Sequence, residues 1–288
     1  MSVPMAQSRA TNVPPGGTCP RDRILLRAAR SDPRLRYYVY WPATAGADSH
    51  VLVAVHGISR NAREHVRMLA ARASHHGVLL MAPLFPPDIF PHYQRLGRKG
   101  AGLRSDQSLN RMLEDLGRFT GRRIERVHLF GYSGGGQFAH RYALAYPQRV
   151  IALAITSPGW YTWPDPLRRF PLGLAPSAFL PDLRFDLDKF LCIPTCVLVG
   201  AHDTERDPQL RTGRRLDREQ GRNRLERGRR WIRQLRREAR QRGLTTRYRF
   251  RELPNSSHDF MENVMRDAMD RHVFRFLFEP EGKRNKSR

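Results

Sequence analysis

The amino-acid sequence predicts an α/β fold from three features. Short apolar runs alternate with longer amphipathic stretches along most of the chain, the pattern of strands separated by helices. One run, "VLVAVHG" at 51–57, is almost wholly apolar up to its closing glycine, as expected of a central strand buried on both faces. Another, "RVHLFGYSGGGQF" at 126–138, passes from an apolar run through a glycine-rich turn into a stretch with helical patterning, a strand–turn–helix unit. At 288 residues and 40% hydrophobic content, the chain suits one large domain with a substantial core.

The elements follow in order. Residues 1–22 are rich in Pro and Gly and are expected to be a flexible segment ahead of a domain at 23–280. "RYYVYWP" (36–42) is an early strand, and "VLVAVHG" the next. A helix is expected from about Ala62 to Ser74, then the strand "VLLMAP" (78–83). In "SDQSLNRMLEDLGRF" (105–119) Leu109, Met112, Leu113 and Leu116 share one helical face, with Ser105 as its N-cap. "RVHLFG" and "VIALAITS" bracket the helix "GGQFAHRYALAYP". "TCVLVG" (195–200) and "TRYRFREL" (246–253) complete the strands, and His258 to Phe278 is helical in pattern. Two regions depart from this rhythm. Residues 157–190, rich in Pro and aromatics, lie between two strands where a small cap can insert. Residues 209–242 carry 14 Arg against four acids, with Leu225, Ile232, Leu235 and Ala239 at helical spacing, so an arginine-covered amphipathic helix packed on the body is expected. Residues 281–288 form a basic tail.

Charge is the unusual bulk property. Against 27 Asp+Glu stand 51 Lys+Arg, a formal net charge of +24, and only four of those bases are lysine. Arginine in such excess suits phosphate or carboxylate recognition, but it equally covers an ordinary solvated surface, which is the reading preferred; weak anion binding through the Arg-rich helix is the partner role it leaves open. No stretch approaches the roughly 18 apolar residues of a membrane span, and the first twenty residues hold no signal-peptide core, so a cytoplasmic protein is expected. Three cysteines do not make a disulfide framework, and Cys192 and Cys196 are expected to be reduced core thiols.

The chemistry centres on Ser133 in "GYSGG". Gly131 and Gly135 relieve crowding around a strained serine backbone, and Gly134 leaves its amide free to face a bound oxygen. A serine hydroxyl needs a base to become a nucleophile, so a histidine and an acid are required in later loops. "LVGAHDTERD" supplies Asp203, just past a strand end, with Asp207 and the more distant Asp165 as competitors. "ELPNSSHDF" supplies His258, between the last strand and the last helix. For an oxyanion, the amides of Ile58, after Gly57 in "VAVHGISRNA", and of Gly134 are the candidate donors. His56 organises that loop, and Arg60 and Asn61 fix it or touch substrate. Trp160 and Trp163 would make an apolar substrate pocket, or else the cap's own small core. No H-E-x-x-H, paired C-x-x-C or P-loop is present, and neither a metal nor an organic cofactor is expected.

Strand-HG, then G-Y-S-G-G, then G-x-x-D, then a late histidine resembles the α/β-hydrolase superfamily over about 35–278. The HG-x-x-R-N loop and GYSGGG turn are similar to bacterial serine esterases of the dienelactone hydrolase and polyhydroxybutyrate depolymerase-like groups, although dienelactone hydrolases themselves carry cysteine as nucleophile. The resemblance implies a mostly parallel twisted sheet with helices on both faces, a Ser133–His258–Asp203 triad with Ile58 and Gly134 as oxyanion donors, and two-step hydrolysis of a small-molecule ester. A serine peptidase or amidase on the same triad is the first alternative. The second is a basic nucleic-acid or anionic-membrane binder on a hydrolase scaffold, against which no recognised RNA-binding signature accompanies the arginines, and no specific nucleic acid is expected.

Overall fold

The computed structural model describes residues 20–279, so the basic tail at 281–288 and nearly all of the N-terminal segment lie outside the described residues. Eight strands form one sheet: β1 (Ile24–Ala29), β2 (Asp32–Tyr40), β3 (Val51–Val55), β4 (Leu79–Leu84), β5 (Val127–Tyr132), β6 (Val150–Thr156), β7 (Thr195–Gly200) and β8 (Tyr248–Leu253). Their spatial order is β1-β2-β4-β3-β5-β6-β7-β8. β2 runs against both of its neighbours, and from β4 across to β8 every pairing is parallel.

Period-2 alternation sorts the central strands onto two cores. Val51, Val53 and Val55 of β3, Leu129 of β5 and Val197 and Val199 of β7 face one core. It is completed by α2 (Ser105–Thr120), α3 (Gly134–Ala145) and α6 (Arg224–Gln241). Leu52, Ala54, Phe130 and Leu198 face the other, covered by α1 (Ala62–His76) and α8 (Met269–Phe278). Every residue of β3, β5 and β7 is buried. That is why these strands read as continuous apolar runs.

Five local readings change. β1 went unread in the sequence because Arg27 interrupts the apolar run "ILLRAA", although the fold buries that arginine against Asp115. Ser105 is the first helical residue of α2 rather than its cap, and its Oγ donates instead to the Tyr93 carbonyl at 3.0 Å. The Arg-rich stretch is two helices, α5 (Arg214–Gln220) and α6. The chain turns at Gly221 (φ 121°), and Asn223 caps α6 by accepting the Glu226 amide at 2.9 Å while Glu226 accepts the Arg222 amide. The last helical stretch is likewise two, α7 (Phe260–Asp267) and α8, separated by Ala268 in the left-handed region at φ 47°. Cys196 is buried, but Cys192 is exposed at the end of the short α4 (Leu187–Leu191) rather than in the core.

Among the described residues, the stretch 157–190 holds no strand and, apart from the start of α4, no helix. It is fixed to the body by α5, α6 and α3. Gln220 accepts the Tyr161 amide and donates to the Tyr161 carbonyl, both at 2.9 Å, and Arg227 donates to the Gly159 carbonyl at 2.6 Å. Trp231 Nε1 donates to the Thr162 carbonyl at 3.0 Å, and its ring stacks on Tyr161 at 4.7 Å. His140 on α3 accepts the Thr162 amide at 2.9 Å. Buried polar groups hydrogen-bonded this fully hold one conformation. No helix among the described residues is long and apolar enough to cross a membrane.

Candidate active site

Ser133 stands between β5 and α3, at the carboxyl edge of the sheet where parallel strands deliver their loops. Its backbone, at φ 51° and ψ −113°, lies in a region that a residue with a Cβ rarely enters. The turn is over-determined: the Ser133 amide donates to the Thr156 carbonyl at 2.7 Å on the neighbouring strand. A Cβ on Gly135 would run into the Val55 carbonyl, and one on Gly131 into the Gly135 carbonyl, so only glycine permits the close crossing of α3 over the strand ends.

Ser133 Oγ donates to His258 Nε2 at 2.9 Å, and His258 Nδ1 donates to Asp203 Oδ2 at 2.8 Å. Three loops, after β5, β7 and β8, thus bring together three residues far apart in the chain. Asp203 is almost wholly buried and His258 is partly open to solvent. The His258 ring lies over Tyr132 with centroids 5.6 Å apart, so it is held from the side as well as through Nδ1. Burial, with the charge of Asp203 beside it, pushes the Tyr132 phenol well above its ordinary pKa.

Asp207, the competing acid, is turned to another partner: Arg224 of α6 pairs with it and reaches Asp203 Oδ1 at 3.4 Å. Burial pushes the Asp207 carboxyl up, but the Arg224 hydrogen bond and charge outweigh it and leave the group below its usual range. Arg224 is buried, and it balances the charge of the carboxylate that holds His258. Sequence reasoning missed it by reading the Arg-rich helix as solvated. The available signal was position, since Arg224, Gly228, Trp231 and Leu235 share one buried edge of the helix at i, i+4, i+7 and i+11 spacing.

The loop after β3 closes the opposite side. A Cβ on Gly57 would sit 3.6 Å from that of Ser133, and one on Gly134 would sit 2.9 Å from Ile58 Cγ2, so this loop packs directly on the serine turn. Gly134 opens α3 where helix amides lack intrahelical partners, and among the described residues no hydrogen bond engages the Ile58 amide. His56 braces the loop. Its Nδ1 donates to the Gly57 carbonyl at 2.8 Å and its Nε2 accepts the Phe85 amide at 3.1 Å, while burial pushes its pKa down to about 4, keeping it neutral. Arg60 hydrogen-bonds the Phe85 carbonyl and lies 4.2 Å over the Tyr93 ring. A residue unforeseen from sequence also arrives here: Gln94, whose Nε2 would be 2.7 Å from a Cβ on Gly134.

The cleft over Ser133 measures about 530 Å³ and is lined in part by Ile58, Asn61, Tyr132, Gln209, His258 and Met261. Trp160 and Trp163 do not line it. Trp160 is buried beneath the guanidiniums of Arg141 and Arg211, and Trp163 packs half-buried on the main core. The reason is the fixing of 157–163 by α5 and α6 described above, which draws both rings toward the body. A larger hollow at Arg118, Arg122 and Arg126 lies at the opposite, amino edge of the strands. No group of His, Cys, Asp and Glu among the described residues has the arrangement of a metal site.

No family model and no curated protein matches the sequence. Solved structures do. The chain is similar to a poly(aspartic acid) hydrolase-1 from Sphingomonas sp. KT-1, with a TM-score of 0.73 at 23% identity, over 88% of this chain and 99% of that one. It is similar to a poly(3-hydroxybutyrate) depolymerase from Bordetella parapertussis, with a TM-score of 0.72 at 27% identity, over 88% of each chain. The chain has the α/β-hydrolase fold. A fluorophosphonate-binding serine hydrolase of Staphylococcus aureus shares it at a TM-score of 0.56 and 12% identity, over 88% of this chain and 97% of that one. The solved structures that this chain resembles include esterases and serine hydrolases, and the depolymerase at 27% identity supports a hydrolase here.

Proposed function

We propose that the protein is a serine hydrolase of carboxylic esters acting through an acyl-enzyme. The observation that carries this reading is the unbroken hydrogen-bond relay Ser133–His258–Asp203 on a strained serine turn. In the first step His258 Nε2 takes the Ser133 Oγ proton as Oγ attacks the ester carbonyl carbon. Asp203 keeps Nδ1 protonated, so that Nε2 is the free base, and stabilises the imidazolium that forms. The amides of Ile58 and Gly134 stabilise the tetrahedral oxyanion, each such donor contributing about 3 kcal/mol. Collapse expels the alcohol, which takes the proton from His258. Water, deprotonated by the same nitrogen, then attacks the acyl carbon and releases the acid and free Ser133.

The cap assigned to 157–190 belongs to the same proposal, held to α5 and α6 through Gly159, Tyr161 and Thr162 and set beside the cleft rather than lining it. The test is hydrolysis of p-nitrophenyl esters of increasing acyl length by the wild type and by Ser133→Ala. The wild type is expected to turn over short and medium esters, with a drop of about 10⁴-fold or more in the variant. Equal rates in the two proteins would end the proposal. Cleavage of p-nitroanilides with no cleavage of esters would move the assignment to an amidase.

A further inference from the structure

Arg141 lies two helical turns after Ser133 on α3 and is completely buried, yet no carboxylate pairs with it among the described residues. Its Nε donates to Thr162 Oγ1 at 2.9 Å, and its Nη1 donates to the carbonyls of Gln94 at 2.6 Å and Gln137 at 3.2 Å. Its Nη2 is enclosed with no partner. Enclosing a guanidinium without an anion is costly, and elsewhere this chain avoids it: buried Arg224 meets Asp203 and Asp207, and buried Arg227 meets Asp217. Arg141 is the exception, and further cations surround it. The guanidiniums of Arg141 and Arg211 both lie over the Trp160 ring, 4.1 and 4.7 Å from its centroid. Burial and then the charges of Arg95 and Arg211 push the proton affinity of Arg141 down. Neither Arg95 nor Arg211 has a side-chain hydrogen bond or ion pair among the described residues, and both are exposed.

The chain ties this cation group to the Ser133 cleft at two points. Gln209 lines the cleft and Arg211 follows two residues later. Gln94 overhangs Gly134, and Arg95 is the next residue. We propose that Arg95, Arg141 and Arg211, the last two lying over the Trp160 ring, form a subsite that takes a carboxylate carried by the substrate, away from the bond that is cut. Arg95 and Arg211 meet the anion, Arg141 supplies an unneutralised charge beneath them, and Trp160 holds the guanidinium planes of Arg141 and Arg211. The substrate class is then an ester with an anionic acyl chain. This deepens the esterase reading and rests on it.

The experiment compares the mono-p-nitrophenyl ester of glutaric acid, with its free carboxylate, against p-nitrophenyl hexanoate. In wild type the ratio of kcat/KM values is expected to favour the glutarate ester about 10-fold, the scale of one charge-assisted contact, and to fall as salt is raised. In the double variant Arg95→Gln/Arg211→Gln the ratio falls toward one. In Arg123→Gln, at the far edge of the sheet, the ratio stays as in wild type. Calorimetry with glutarate on Ser133→Ala reads the subsite without turnover, and binding is expected to vanish when Arg95→Gln/Arg211→Gln is added. A wild-type ratio of one or below, a ratio indifferent to the double substitution, or inorganic phosphate binding as tightly as glutarate would each overturn the proposal. The two readings separate cleanly. Hexanoate turnover without carboxylate preference removes the subsite and leaves the esterase. Arginine-dependent glutarate binding with no turnover of either ester supports the subsite and removes the esterase.

Discussion

The serine turn and the arginine helix meet at one site but reach it by different physical routes. Gly131 to Gly135 take their shape from contacts within a few residues and from the adjoining strand ends: the Thr156 carbonyl holds the Ser133 amide, and the Val55 carbonyl leaves no room for a side chain at Gly135. Arg224 reaches Asp203 from a helix 21 residues further along, and its usefulness depends on α6 packing with that face inward. A local device carries its signature in consecutive letters. A tertiary one is written in the same letters as a surface, and only the fold shows which arginines are enclosed.

The largest expected effect tests the local device. Asp203→Asn keeps the shape of the acid but no longer enforces the Nδ1–H tautomer of His258, and the rate on p-nitrophenyl esters should fall about 10⁴-fold with the protein still folded. A fall below tenfold would show that Asp203 is dispensable and that the relay ends at His258. The tertiary device is broken next by Arg224→Met. Its removal leaves Asp203 enclosed without a counter-charge, which should lower stability by about 3 kcal/mol in denaturant unfolding. A loss under about 0.5 kcal/mol would return Arg224 to the class of solvated arginines.

The same contrast decides what was legible in the sequence. Ser133, Asp203 and His258 could be picked out because each follows a strand, in an order that brings strand ends to one edge, and the geometry does bring them within hydrogen-bond reach of one another. The buried parallel strands were legible because burial on both faces leaves unbroken apolar runs. β1 was not, since Arg27 interrupts "ILLRAA" like a surface residue, whereas the fold buries it beside Tyr37 and Asp115. Trp160 and Trp163 carried two readings, a pocket or packing, and neither lines the cleft, for the same reason that Arg224 was missed: the choice is made by Gln220, Arg227 and Trp231, 59 to 69 residues away. The break at Gly221–Asn223 was present in the sequence, as Asn223 followed three residues later by Glu226, and could have been read.

A third way to press the comparison is pH. His56, in the loop beside Ser133, and His140, under the 157–163 segment, are both buried and neutral; burial pushes the first down to about 4 and the second well below the ordinary value. Their folded pKa lies below the unfolded value of about 6.5. They therefore cost nothing above that value. As pH falls below it, the unfolded chain takes up protons that the folded chain refuses, and stability is lost until the folded pKa is passed. The melting temperature should drop by several degrees between pH 7 and pH 5. His140→Gln should reduce that drop without abolishing it, since burial pushes His56, His65 and His128 down as well, whereas a flat profile in the wild type would mean that these rings are protonated in the fold.

A smaller effect is expected where α6 latches the 157–163 segment. Trp231→Phe keeps the ring against Tyr161 but removes the Nε1 bond to the Thr162 carbonyl. The cost should be about 1 kcal/mol or somewhat more, because a buried carbonyl loses its partner. Unfolding in urea would measure it, and a neutral result would show that packing alone holds the latch.

The smallest effect belongs to Arg229, five residues after Arg224 on the same helix. Its guanidinium pairs with Glu252 at 2.7 Å, but both side chains are more than two-fifths exposed. An exposed pair gains little, since water screens the charges and two long side chains lose freedom to make it. Arg229→Gln should change stability by about 0.5 kcal/mol or less and leave ester hydrolysis as it is. Set beside Arg224→Met, this substitution compares burial and partner at constant residue type and element. If the two cost the same, enclosure would not be what separates the arginines of α6. If Arg229→Gln is silent while Arg224→Met is severe, the net charge of +24 divides into a few arginines that build the site and a majority that simply meet water.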